Sequence, residues 1–161
     1  MRLGLQGRVR RVWASRGVKV VQKLQFVFEW VYLLLAVHPP SGQIKWQWIE
    51  RMRQEDLIPV LNQWQLDAII WDGAPSHRGS QVAQLPGRRI FQPSYSPEVN
   101  PVERLFEAIR QEVEGPVYES LQAKKEAVEK VLHQWAVDPG QVRSLAGWAW
   151  ICGALDSLPA Q

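Results

Sequence analysis

The first 28 residues of this 161-residue chain contain no acid. Arg2, Arg8, Arg10, Arg11, Arg16, Lys19 and Lys23 all precede the first carboxylate, Glu29, although the net charge of the whole chain is only +3. A block of one sign on that scale favours contact with a polyanion, and a solvated face is the competing reading. Cysteine is almost absent. Cys152 is the only one, so no internal disulfide can form and a reducing compartment is expected; flanked by apolar residues and lacking a partner motif, it reads as core. Long apolar runs are missing too. The longest, Phe26 to Val37, is interrupted by Glu29 and is too short for a membrane helix. No apolar stretch of the secretory type follows Met1.

What remains is an ordinary globular composition, 46% apolar and 22% charged, in one domain that can bury about two-thirds of its unfolded surface. Val18 to Leu24 and Phe26 to Val37 read as strands. Pro39-Pro40-Ser41-Gly42 reads as a turn. In Gln43 to Trp48, Ile44, Trp46 and Trp48 share one face and Gln43, Lys45 and Gln47 the other, an antiparallel partner with a wet side. Ile49 to Trp64 reads as a helix, with Pro59 marking a kink or a nearby start. Leu66 to Trp71 reads as a central strand, Gly79 to Leu85 as a short helix and Arg88 to Phe91 as a brief strand. Asn100 caps a helix whose first position is Pro101 and whose stripe is Val102, Leu105, Phe106, Ile109 and Val113. Further helices are expected over about Glu119 to Trp135 and Gln141 to Leu155.

The order is mixed α/β, with antiparallel strands first and parallel crossovers later. It matches a ribonuclease H-like arrangement, a mixed five-stranded sheet with helices on both faces, whose first strand is incomplete unless residues 1–6 supply part of it. The expected organisation is a single domain over 1–161, with a basic segment at 1–24 and a C-terminal helix over 137–161.

Two carboxylates stand in unusual surroundings. Asp72 ends the apolar run Leu66 to Trp71 and precedes Gly73-Ala74-Pro75-Ser76-His77; Glu103 closes Pro93-Ser94-Tyr95-Ser96-Pro97-Glu98-Val99-Asn100-Pro101-Val102-Glu103. A strand-end aspartate and a helix glutamate can meet across a sheet and hold a divalent cation for phosphodiester chemistry. Taken singly, Asp72-Gly73 is a turn dipeptide, Glu103 occupies the third position of a capping box, and His77 is a surface histidine.

Together these two segments resemble the second and third acidic motifs of the DDE transposases, closest to the bacterial insertion-sequence branch of the mariner-type superfamily, over about Val12 to Gln134. The resemblance implies Asp72 and Glu103 as catalytic metal ligands for Mg²⁺, with Mn²⁺ able to substitute. It implies Tyr95, Pro97, Asn100 and Pro101 as the residues shaping the loop that presents Glu103, and His77 as a neighbour of the site. DNA contacts are expected from Arg8, Arg10, Arg11, Arg16 and Lys19 and from Arg104, with Arg110 following the same pattern. Implied partners are transposon ends and target DNA, with a homodimer or a full-length transposase, in a bacterial cytoplasm at the nucleoid and without a membrane.

The chain departs from the family in two respects. Gly73 stands where the family usually has Asn. The family's first Asp has no counterpart, because the likeness to the family's sequence just beyond that Asp already starts at Arg2; the amino-terminal helix-turn-helix region has none either. Glu29 is a weak substitute, in a position the family does not use. The expectation is DNA cleavage and strand transfer in transposition, impaired in the isolated chain, against the alternative of a remnant that binds DNA or a full-length transposase without cutting. Trp46, Trp48, Trp148 and Trp150 have spacings that fit core packing at least as well as base stacking.

Overall fold

A computed structural model describes residues 1–7, 13–21, 23 and 25–157. Arg8, Arg10 and Arg11 lie outside the described residues.

The architecture is mixed α/β, with helices around two small sheets. The first sheet is antiparallel in the order β1-β2-β3, formed by β1 (Arg2–Gly4), β2 (Trp30–His38) and β3 (Gln43–Ile49). β2 and β3 pair along seven positions, from Tyr32 opposite Ile49 to His38 opposite Gln43. The turn between them needs Gly42, whose φ is +75° and whose missing side chain would collide with the backbone of Pro139.

Strand alternation divides the interior in two. Leu33 and Leu35 of β2 face one core, with Leu105, Phe106, Ile109, Val128, Leu132 and Trp135. Tyr32, Leu34 and Ala36 face the other, with Leu57, Leu61, Trp64 and Trp71. The first core is roofed by α2 (Pro101–Val113), α3 (Leu121–Val137) and α4 (Pro139–Ala146), and the second by α1 (Gln54–Trp64). As its alternation requires, β3 turns Trp46 and Trp48 inward; both indole N–H groups donate to the carboxylate of Glu129 on α3. Lys124, also on α3 and buried, donates to the Gly4 carbonyl at 2.8 Å, tying β1 to that helix.

The second sheet is a parallel pair, β4 (Ala68–Trp71) with β5 (Arg88–Phe91). Its parallel register and the wet face of β3 agree with the sequence reading, but the expected single five-stranded sheet is not seen among the described residues. No ladder joins β1-β2-β3 to β4-β5 among the described residues.

Further expectations are corrected. The first strand is Arg2–Gly4, and the described part of Val18 to Leu24 has no strand structure despite its β-branched residues, because it has no pairing partner and its valines stay exposed. Phe26 to Glu29 do not join the ladder, although Leu5 and Gly7 donate backbone hydrogen bonds to Glu29 and Gln25. The C-terminal helix is two helices, α4 and α5 (Ala149–Asp156). The break falls at Gly147, where any side chain would meet the carbonyls of Arg143 and Pro39. α1 starts at Gln54 rather than Ile49, so Pro59 lies in its second turn.

Candidate functional site

β4 ends at Trp71, and the backbone leaves the sheet at Asp72. The Asp72 carboxylate accepts a hydrogen bond from the Ala74 amide at 3.1 Å, the turn role that Asp-Gly suggested. It does more than this. The His77 imidazole Nδ1 lies 2.6 Å from Asp72 Oδ1 and 3.1 Å from its backbone carbonyl. The His77 ring stacks flat on Trp71, with centroids 4.5 Å apart and planes 1° apart. A short 3₁₀ turn, Pro75–His77, returns the histidine to the strand end. His77 is therefore half-buried and fixed on two sides, not a free surface residue.

Glu103 lies in the first turn of α2. Pro97 opens a 3₁₀ turn, Pro97–Val99, and the Asn100 amide donates to the Pro97 carbonyl at 3.0 Å. Asn100 Oδ1 accepts from the Val102 amide at 3.2 Å, and Pro101 holds the first helical position. Because the Asn100 amide is used by Pro97, the capping-box bond does not occupy Glu103. The Glu103 carboxylate instead faces Arg110 at 3.8 Å. Tyr95 is fully exposed, with a positive φ of 59°, a sharp backbone turn ahead of the Glu103 segment that costs a non-glycine residue conformational energy.

Asp72 and Glu103 line one cleft, with His77, Asn100, Pro101 and Arg110. The cleft separates β2 from β4 and has a volume of about 1370 Å³, more than the roughly 300–1,000 Å³ of small-ligand pockets. The Met1 ammonium reaches the same cleft, donating to the Leu33 carbonyl at 2.6 Å. Its pKa is lowered to about 6, first by burial, against the pull of Glu103; Arg110 lowers it further and Asp72 raises it.

The sequence reading named Arg110 but missed the Met1 ammonium. It also missed Arg78, whose guanidinium covers Gly73 and lies 5.5 Å from the centre of the Phe91 ring. Arg78 thus lies folded over the bare backbone of Gly73.

Other expected residues lie apart. Glu29 is exposed beside Leu5 and does not line the cleft. Arg16 and Lys19 are exposed in the segment before β2. Arg104 is next to Glu103 on α2; it lies over Trp148 at 4.8 Å and 3.7 Å from Glu107. Trp150 is half-exposed and lines the cleft.

Carboxylate oxygens are the donor type that a hydrated Mg²⁺ takes, and Asp72 and Glu103 supply two such groups to the cleft wall. Among the described residues, no group of three His, Cys, Asp or Glu side chains is placed to hold a metal ion. No described helix is long and apolar enough to cross a membrane. No family model matches the chain, and no curated protein matches it.

Proposed function

We propose that the chain is a polynucleotide-binding domain of the DDE transposase type, with a ribonuclease H-like fold, whose Asp72 and Glu103 hold a divalent cation for phosphodiester cleavage. The observation that carries this reading is the convergence of Asp72 and Glu103 on one cleft from 31 positions apart, 103 − 72. Each is presented by the segment that the motif resemblance singles out. The order of antiparallel strands, parallel crossover strand and covering helices supports the fold assignment. The cleft volume exceeds that of small-ligand pockets, and Arg110 at its wall favours an anionic ligand.

Mg²⁺, or Mn²⁺ in its place, would polarise a phosphodiester there and stabilise the leaving oxygen. The chain's own residues do the positioning. His77 orients the Asp72 carboxylate, Asn100 and Pro101 fix the helix start that carries Glu103, and Arg78 adds positive charge beside Gly73. With two carboxylates rather than three, cleavage by this chain is slow, and DNA retention is its principal measurable activity. The second reading, binding without cutting, is favoured by the lack of a three-ligand group among the described residues.

A supercoiled-plasmid assay with Mn²⁺ tests both. Retention of plasmid with slow nicking, abolished by Asp72→Ala or Glu103→Ala, supports the proposal. Retention without any nicking selects the binding reading. Absence of retention overturns the polynucleotide assignment.

A further inference from the structure

We infer that the segment leading into β2 is a stacking platform for single-stranded nucleic acid. It rests on the polynucleotide reading only for the polymer it names. The observation is a coincidence of two independent features. Trp13, Phe26, Phe28 and Trp30 are 104%, 71%, 71% and 49% exposed, and Val18, Val20 and Val21 of the same segment are exposed as well. Exposed aromatic surface on this scale marks an interaction site. Most of this stretch lies in the acid-free first 28 residues, where Arg16, Lys19 and Lys23 are all exposed; one carboxylate, the exposed Glu29, stands between Phe28 and Trp30.

Phe26, Phe28 and Trp30 follow each other at the two-residue spacing that puts side chains on one side of an extended chain. Trp30 already has a cation over its ring, the Arg2 guanidinium at 5.3 Å. Protein-docking patches are depleted of charge at their centre, whereas this segment carries Arg16, Lys19 and Lys23 ahead of its phenylalanines and has the Arg2 guanidinium over Trp30. Aromatic faces among cations bind successive unpaired bases while the cations track the phosphates. Duplex DNA hides its base faces, so the platform selects single strands.

The test uses the 161-residue chain and fluorescence anisotropy with three probes: a labelled dT 20-mer, an abasic 20-mer of equal charge, and a 20-base-pair duplex. The expected result is at least about tenfold tighter binding of the dT 20-mer than of the abasic strand, with Phe26→Ala/Phe28→Ala weakening dT binding about fivefold or more per ring and leaving abasic binding unchanged. Equal affinity of the unsubstituted chain for dT and abasic strands overturns the inference, whatever the variant does. So does sedimentation showing a dimer that the double variant dissociates while dT binding persists, because a second copy then covers the rings. The titrations are made in EDTA without divalent cation, so failure of the cleft's metal assignment is read separately.

Discussion

His77 Nδ1 lies 2.6 Å from Asp72 Oδ1 while its ring stacks on Trp71, the last residue of β4. One histidine thus ties the candidate metal ligand to the strand that presents it. Groups that orient a ligand typically contribute about 10- to 100-fold in metal affinity. His77→Ala is expected to weaken Mn²⁺ binding about tenfold with an unchanged circular dichroism spectrum. Full affinity in the variant would remove His77 from the site.

Asn100 makes a matching prediction on the other side of the cleft. Its side chain caps α2 through the Val102 amide. Asn100→Ala should cost about 1 kcal/mol of stability in urea and weaken Mn²⁺ binding through Glu103. Asn100→Asp, which keeps the cap acceptor, restores the stability. A loss equal in both variants would place the effect outside the cap.

The Met1 amine sets a pH dependence. Burial lowers its pKa from 8.0 to about 6, so between these values the unfolded chain binds more protons than the folded one, and stability rises with pH. It approaches its full value above pH 8, loses about 2 kcal/mol between pH 8 and 6, and levels off within about a unit below pH 6. The check is the difference in urea midpoint between the free and N-acetylated chain across about pH 5.5 to 8.5, the window that brackets both pKa values. A difference independent of pH would contradict the assignment.

The basic segment is tested by salt. Each phosphate contact contributes about one unit of log–log slope. Arg16→Ala/Lys19→Ala should lower the slope for single-stranded DNA by about 1–2 and weaken all sequences alike. An unchanged slope would exclude both residues from phosphate contact.

Local pattern made much of this molecule legible in its sequence. The cap at Asn100, the Pro101 start and the stripe from Val102 to Val113 mark out α2, whose Leu105 and Ile109 are fully buried. The alternation at Gln43 to Trp48 marks out β3 with the correct wet face. Pairing was harder to read. Val18 to Leu24 has strand-like composition, but its described part has no pairing partner among the described residues, while Arg2–Gly4, a weak pattern, is a strand because β2 and Lys124 hold it. The α4–α5 break depends on Gly147 approaching Pro39, a contact distant in sequence. Asp72 and Glu103, which the motifs singled out, both line the cleft, whereas Arg78 over Gly73 and the Met1 amine in the cleft are products of tertiary packing.

The central claim is that Asp72 and Glu103 act together on one cation, and Mn²⁺ titration of the 161-residue chain by electron paramagnetic resonance addresses it most directly. The account predicts one bound Mn²⁺ per chain, weakened at least about tenfold by Asp72→Asn and by Glu103→Gln, with the double variant little worse than either single one, as expected for residues acting as one unit. Mn²⁺ binding unchanged in both single variants would contradict it.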